Sequence, residues 1–468
     1  MIGREREISR LDECMKNEEA QFIAIYGRRR VGKTYLVNTY FNGRFDFKLT
    51  GVFDQPKSIQ LKNFSIELKN QTGEEREAPN DWMDAFMQLR DFLESKSDSR
   101  KRVVFFDEMP WMDTPKGGFL KALEWFWNGW GNVQRNLIFV VCGSTASWMK
   151  RNLDKNRGGL YRRINARLYL EPFTLSETEA YLESKSISWS RYDIAECYMI
   201  MGGIPYYLSL LTPELSYSAN IDNLFFRKRA ELWDEFTFLY ESLFQNSKNY
   251  IKIVTALSKK RSGMHRDEIM KETGLPENGL LTEMMDNLEY SGFVRILNDF
   301  GGKKKTYQLS DYYSLFYFRF IKDNYGHDEH FWTNTLDNPF RRSWAGLTFE
   351  QVCMDHLDGI KRKLGISGVL SSISKWGKAG SDEEPGAQID LLIDRRDRVI
   401  DICEIKYSIG EYKIDKDYNQ KIRNKIEIFR RETKSKSALQ FVMITTYGIA
   451  KNKYSSIVTN EVCLDDLF

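Results

Sequence analysis

The stretch QFIAIYGRRRVGKT, residues 21–34, decides the fold. Its first part, Gln21 to Gly27, is an apolar run closed by a glycine, the composition of a strand buried on both faces. Its last eight residues, Gly27-Arg28-Arg29-Arg30-Val31-Gly32-Lys33-Thr34, satisfy every fixed position of GxxxxGK[ST]. Residues 32–41 then carry a helical pattern, so the loop sits between a strand and a helix, as a phosphate-binding loop must. Glycines there let backbone N–H groups face phosphate oxygens, and the helix N-terminus adds positive potential. Lys33 is expected to reach the β- and γ-phosphates, and Thr34 to place its hydroxyl on Mg²⁺. ATP and magnesium are the cofactors this implies.

Outward from the loop, strand and helix signals alternate. Residues 45–52 read as a second strand, 57–69 and 82–94 as amphipathic segments, and 102–107 (RVVFFD) and 136–144 (NLIFVVCGS) as continuous apolar strands. Such a pattern specifies a parallel sheet covered by helices. Asp107 emerges at a strand end, where it is expected to hold the metal, and Glu108 is placed to polarise an attacking water. Ser144 ends the next strand. It reads either as a sensor of the γ-phosphate or as a helix N-cap. Arg162, Arg163 and Arg167 follow in GGLYRRINARLYLEPF, residues 158–173; one is a candidate arginine finger, and all three are equally compatible with solvated surface positions.

GRRRVGKT, DEMPW (107–111), the CGS strand end, GGLYRR and GGIPYYL (202–208) together resemble the archaeal-type AAA+ ATPase family, related to the STAND switch ATPases, over about residues 1–240. The opening IGRE is similar to that family's adenine-side element. The resemblance implies that Gly3 and Arg4 lie near the adenine, and that Pro205 approaches the nucleotide from a helical lid. Read alone, Gly203 and Pro205 equally describe a plain helix break.

Residues 176–244 read as helical, in two stretches separated by a break at Met201–Pro205. Residues 248–309 follow the order of a winged helix-turn-helix, with helices over 250–258, 265–273 and 278–291 and strand-like pieces at 293–297 and 306–309. The helix LLTEMMDNL, residues 280–288, would be the recognition element, but with so few basic residues it is weak for major-groove reading, which uses Arg, Lys, Asn or Gln on base edges. The wing lysines Lys303, Lys304 and Lys305 suit phosphates. An aromatic helix is expected over 312–321 and a linker over 324–344.

The last block carries a helix over 348–364, strands near 369–374, 388–394 and 399–406, a basic helix over 415–431 and a strand over 438–445. Glu404 and Lys406 are two apart on one strand and share a face. A hairpin would bring Asp390 to that face, and Glu350 lies on the preceding helix. Three carboxylates and a lysine can bind Mg²⁺ through oxygen and orient a water for attack on phosphorus. Asp390, thirteen intervening residues, then Glu404-x-Lys406 resembles the PD-(D/E)XK nuclease superfamily, in the nuclease-like form fused behind archaeal-type ATPases. The resemblance implies Asp390 and Glu404 as metal ligands, Lys406 as catalytic and Glu350 as assisting; the usual proline before the first acid is absent. The plainer reading is a hairpin with exposed charges. Lys416, Lys421, Arg423, Lys425, Arg430 and Arg431 could track a phosphate backbone, although acidic residues interleave with them.

The expected fold class is α/β: a P-loop NTPase parallel sheet over 1–175, a helical lid over 176–245, a winged helix-turn-helix over 246–310, a helix and linker over 311–345, and an α/β PD-(D/E)XK nuclease-like domain over 346–468. Composition agrees with this. The 468 residues carry 69 basic and 66 acidic side chains, so nucleic-acid binding, to DNA in the first instance, has to come from local patches. Six cysteines without CxxC spacing exclude a zinc ribbon and suit a reducing compartment. The charged N-terminus and the lack of a long apolar run point to a cytoplasmic protein without membrane contact. A homo-oligomer is a further partner expectation. The function these readings assemble is an ATP-hydrolysing protein acting on nucleic acid, its ATP state controlling a Mg²⁺-dependent nuclease-like domain. The alternative is a switch or scaffold whose last domain only binds DNA or a protein partner.

Overall fold

Five apolar runs become one sheet: β1 (Gln21–Gly27), β2 (Phe47–Thr50), β3 (Arg102–Asp107), β4 (Leu137–Gly143) and β5 (Ala166–Leu170), in the order β2-β3-β4-β1-β5. Every pairing is parallel. The inner strands β1, β3 and β4 are buried almost throughout, as a sheet covered on both faces requires. β5 is a strand the sequence reading did not separate. Its residues alternate between buried and exposed, so it lacks the continuous apolar run that marks the inner strands.

One face of this sheet buries an aromatic core of Phe22, Phe106 and Phe139 against Phe86, Phe126 and Trp127. The helix Trp82–Glu94 reaches that core because Trp82, Ala85, Phe86, Leu89 and Leu93 fall on one stripe. Its start is fixed by Asp81, whose carboxylate accepts the N–H groups of Met83 and Asp84. Each buried aromatic ring contributes roughly 1.5–3 kcal/mol of transfer free energy.

The computed structural model describes residues 1–96, 100–155, 159–160, 162–244, 246–302, 304–324, 328–336, 338–380 and 386–468. They form two compact units. The first is Met1–Pro172 with Leu239–Ser247 and Glu283–Gly292; the second is Phe173–Phe238, Lys248–Thr282 and Phe293–Phe468.

The second unit begins with the helices Leu175–Ser184 and Arg191–Met201. The latter stops at Gly202 and Gly203, both with φ of 64°. A β-carbon on Gly203 would stand 2.1 Å from the Phe173 carbonyl oxygen, so only glycine fits this stop. Next along the chain come the helices Ser247–Lys259, Arg266–Thr273 and Gly279–Tyr290, then β6 (Val294–Asp299) and β7 (Lys305–Leu309) as an antiparallel pair. Lys303 lies outside the described residues, while Lys304 and Lys305 are exposed.

Residues 324–344 are not the expected linker throughout. They contain the helix Phe331–Asn334 and the start of the long helix Pro339–Asp355. Asn338 caps that helix by accepting the Phe340 N–H, Pro339 occupies its first turn, and Trp332, Arg341 and Trp344 are buried. The helix expected over 348–364 therefore starts earlier and breaks at His356 into a separate piece, Leu357–Lys363. Then come β8 (Ser371–Lys378), β9 (Ala387–Arg395), β10 (Val399–Lys406), the helix Lys416–Thr433, β11 (Ala438–Thr445) and β12 (Asn460–Cys463). These strands and the wing make one sheet in the order β12-β11-β10-β9-β8-β6-β7. The junction is parallel pairing of β6 with β8 at Asn298↔Ser374 and Asp299↔Lys375. Ile389, Leu392, Ile400 and Ile402 pack on Ile422 and Phe429 of the helix Lys416–Thr433.

Among the described residues, no helix is long and apolar enough to cross a membrane. The six cysteines are free thiols, five of them buried.

Candidate functional site

Parallel strands deliver their carboxyl ends to one edge of the sheet. In register, Tyr26 stands opposite Gly143 and Phe106 opposite Val141, so the ends carrying Gly27, Asp107 and Ser144 meet. The loop itself depends on glycine. Gly27 has φ of 150° and its α-carbon faces the Leu170 carbonyl so closely that a β-carbon would sit 2.3 Å from it. Gly32, with φ of 90°, turns the chain into the helix Lys33–Tyr40. Arg30 also adopts a positive φ, 71°. Arg28 and Val31 are buried, and Arg29 is half-buried.

Lys33 is buried and folded over the loop, its Nζ donating to the carbonyls of Gly27 (3.1 Å) and Arg28 (2.8 Å). Burial holds its pKa below the usual lysine value, against the pull of Glu108 and Asp107. The Thr34 hydroxyl donates to Asp107 Oδ2 at 2.8 Å, and Asp107 Oδ1 accepts the Glu108 N–H at 3.0 Å. The pair offers the hard oxygen donors that suit magnesium. Glu108 sits at φ of 47°, an unusual conformation for a non-glycine residue. Its carboxylate accepts the Ser144 N–H at 3.0 Å and the Ser144 hydroxyl. Ser144 is thus bonded to Glu108; the N-cap position of the helix Ala146–Met149 is Thr145, with no side-chain cap. Cys142 lies among these groups, its thiol pushed well up by burial and by Asp107.

Arg4 is buried and ties the loop to the end of β5, Nη2 donating to the carbonyls of Val31 and Glu171, each at 3.0 Å. Gly3 precedes it with φ of 62°. Pro205 belongs to the second unit, where it opens the helix Pro205–Ser209. Arg162, Arg163 and Arg167 are exposed, and Arg167 donates to the Ile164 carbonyl at 3.3 Å. Gly158 and Tyr161 of that segment lie outside the described residues.

A second polar cluster lies in the second unit. β9 and β10 pair antiparallel, with Cys403 opposite Leu391, so Asp390 and Glu404 come side by side on one face. Asp390 Oδ2 accepts the Ile405 N–H at 3.2 Å. Glu404 is 4% exposed. Its Oε1 accepts from Lys406 Nζ and from the Tyr418 hydroxyl, each at 2.8 Å, and its Oε2 from Lys425. Glu350, on the helix Pro339–Asp355, has Lys375 Nζ 4.0 Å from its Oε2. Two residues earlier on that helix, the Thr348 hydroxyl oxygen accepts from Arg261 Nη2 at 3.0 Å.

The electrostatics make these groups one system. Burial and then the Asp390 charge push the Glu350 carboxyl up to about 7. Asp390 is raised by burial and by Glu404. Burial also works to raise Glu404, but Lys406 and Lys425 outweigh it and hold that carboxyl below its ordinary value. Burial lowers Lys375 and brings Arg261 down to about 10, Glu350 opposing it in both. The structure therefore brings Glu350, Asp390, Glu404 and Lys406 together. As they stand they are not a metal cage: among the described residues, no group of three or more His, Cys, Asp or Glu side chains is arranged to hold an ion. The donor chemistry nevertheless suits a hard cation, since two buried carboxylates repel each other here. Sequence reading missed Arg261, Lys375 and Tyr418 as neighbours of these acids. None carries a local signal, because each comes from a different element.

The comparisons with known proteins extend from the first unit into the second. The family of ATPase domains found predominantly in Archaea matches residues 1–211. An uncharacterized protein of Methanocaldococcus jannaschii is 25% identical over 414 residues, covering 87% of each chain. Among solved structures, a Walker-type ATPase of Pyrococcus abyssi superposes with a TM-score of 0.48 at 18% identity, covering 67% of this chain and 95% of that one. The Aeropyrum pernix ORC2 protein gives 0.43 at 12% identity, covering 76% and 96%. The matched segment contains the glycine loop, Lys33, the Thr34–Asp107 pair and Glu108, so residues 1–211 carry a P-loop ATPase domain similar to those found predominantly in Archaea.

Proposed function

We propose that the chain couples ATP binding and hydrolysis to action on nucleic acid through a magnesium-dependent, nuclease-like centre at Glu350, Asp390, Glu404 and Lys406. The observation that supports this reading is geometric: the β9–β10 register sets Asp390 across from Glu404, Lys406 Nζ lies 2.8 Å from Glu404, and Glu350 lies 4.0 Å from Lys375 of the adjoining strand β8. In the ATPase unit, Gly27 to Thr34 hold the triphosphate, with Lys33 leaving the carbonyls of Gly27 and Arg28 for phosphate oxygens. Thr34 and Asp107 would hold magnesium, Glu108 would orient the attacking water, and Ser144, bonded to Glu108, would sense the γ-phosphate. Gly3 and Arg4 border the adenine side.

In the second unit, Asp390 and Glu404 would hold a magnesium ion, which would supply charge stabilisation at phosphorus and a more acidic water. Lys406 steadies the developing negative charge, and Glu350 accepts a proton from the water. The protein works in the cytoplasm, and assembly of several copies is compatible with the ATPase unit.

Mutation of the second centre tests the reading. Asp390→Ala and Lys406→Ala are each expected to abolish Mn²⁺- or Mg²⁺-dependent cleavage of DNA while ATP hydrolysis persists. Cleavage that survives both changes removes the assignment.

One observation favours a second reading, in which the domain binds nucleic acid or a protein partner without cutting. Both Glu404 oxygens are already engaged, by Lys406, Tyr418 and Lys425. A Mn²⁺ titration separates the two. Uptake lost in Asp390→Ala supports the nuclease; no uptake by the unaltered chain supports the binding module.

A further inference from the structure

The carboxylate cluster has two poles. At one, Glu404 is gripped by Lys406 of β10 and Lys425 of the helix Lys416–Thr433. At the other, Glu350 faces Lys375 of β8 and lies within reach of the Arg261 charge. The cations at this second pole come from outside the hairpin that carries Asp390 and Glu404. Arg261 follows the first helix of the winged-helix unit, Ser247–Lys259. Lys375 stands opposite Asp299 of the wing strand β6.

Arg261 is fixed from several directions. Its carbonyl accepts Gln308 Nε2 of β7 at 2.8 Å. Gly263, two residues on, presses against β7, where a β-carbon would come 2.6 Å from Thr306 Cγ2. Nη2 donates to the Thr348 hydroxyl, which itself donates to the Trp344 carbonyl at 2.8 Å. The guanidinium is therefore held against the helix that carries Glu350, and the side chains of Arg261, Lys375 and Lys406 all remain half-buried. The cluster's three carboxylates, Glu350, Asp390 and Glu404, stand against four cations, Lys375, Arg261, Lys406 and Lys425, so the positive charge is in excess by one. An anion with a planar or tetrahedral set of oxygens would complete the balance, and an arginine fork is the usual partner for phosphate. The exposed Lys304 and Lys305 at the start of β7 extend positive charge along the same sheet.

We propose that Arg261 and Lys375 form a second phosphate-binding subsite, beside the Asp390–Glu404–Lys406 centre, that holds a neighbouring phosphodiester of a nucleic-acid strand. The wing would thus be part of the substrate-binding wall through its first loop and strand, and not through a base-reading helix. Arg261 and Lys375 are binding and positioning residues; they take no proton and break no bond. This inference rests on the nucleic-acid reading of the centre.

Its test is the salt dependence of binding, which counts phosphate contacts and needs no cleavage. Labelled single-stranded and duplex DNA are titrated with the full chain, with calcium replacing magnesium, and binding is followed by fluorescence anisotropy across a salt series. Each lost phosphate contact lowers the slope of log K against log salt by about 0.7 for single strands and about 0.9 for duplex. Arg261→Gln and Lys375→Gln are each expected to lower the slope by about that amount and to weaken binding about tenfold at low salt. Arg261→Lys, which keeps the charge, is expected to restore the slope. Thermal melting checks folding, and Lys375→Gln carries the test if Arg261→Gln does not fold. Slopes equal to that of the unaltered chain in both glutamine variants overturn the inference, as does an unaltered chain that binds no DNA. If slopes are unchanged while Asp390→Ala abolishes cleavage, the subsite alone fails. If slopes fall while no variant affects cleavage, the nuclease assignment alone fails.

Discussion

In the proposed reading, Glu108 is the residue at which hydrolysis separates from binding. The backbone at φ of 47° swings its side chain away from the line of β3 and onto Ser144, whose N–H and hydroxyl it accepts. Asp107, one residue earlier, stays with Thr34. Adjacent acids are thereby given different tasks by one unusual backbone angle. Glu108→Gln preserves size and most hydrogen bonds but cannot take a proton. It is expected to leave ATP binding within about twofold and to lower hydrolysis by about 10²- to 10⁴-fold, measured by phosphate release against calorimetric nucleotide binding. Equal losses of both would show that Glu108 builds the loop and does not act on water.

At the scale of elements, the long helix Pro339–Asp355 is tied to the start of the lid by a histidine. His356 is buried at the helix break; its Nε2 accepts the Leu175 N–H at 2.9 Å, and Nδ1 faces the Val352 carbonyl at 2.8 Å. That geometry needs the neutral ring with its proton on Nδ1. Burial lowers the folded-state pKa below the ordinary value of about 6.5. The unfolded chain then binds the proton more readily, so this contribution is complete above about pH 6.5 and is lost as the pH falls through the depressed folded value. His356→Gln removes the titrating ring. The stability difference between the unaltered chain and this variant is expected to shrink by about 1–3 kcal/mol from neutral to mildly acidic pH, followed by denaturant unfolding. A difference independent of pH would place the loss elsewhere. The same element shows why the expected linker failed. Asn338, Pro339 and the buried Trp344 are helix-start and core signals, but they follow a stretch whose other residues read as irregular.

At the scale of the whole molecule, a buried ion pair joins sequence-distant parts of the second unit. Arg341 Nη2 meets Glu196 Oε2 at 2.7 Å, with the guanidinium 3.7 Å from the Trp332 ring and Nη1 donating to the Trp332 carbonyl. Tyr407, the residue after Lys406, donates its hydroxyl to Glu196 Oε1 at 3.2 Å. The lid helix Arg191–Met201 thus holds the end of the strand that bears Glu404 and Lys406. Removing one partner strands a buried charge, so Arg341→Met is expected to cost about 3–5 kcal/mol. Glu196→Gln combined with Arg341→Met should cost less than the sum of the single changes, in a double-mutant cycle read by chemical denaturation. Strict additivity would mean that the pair does not act as a unit.

The nucleotide site was legible because its chemistry is local. Eight consecutive residues from Gly27 to Thr34 fix the backbone cradle, and an apolar run fixes where Asp107 and Glu108 emerge. Likewise the alternation along 388–406 determined that Asp390, Glu404 and Lys406 share a face once the hairpin closes. What only the tertiary structure decided is who surrounds them. Arg261 reaches Thr348 across 87 positions of chain, and Lys375 meets Glu350 because β8 pairs with the wing strand β6. Periodicity determines which way a side chain faces within its own element, since that follows from backbone geometry. Its neighbours across the sheet depend on strand order and register, which are set by the packing of distant apolar surfaces and leave no mark on any single segment.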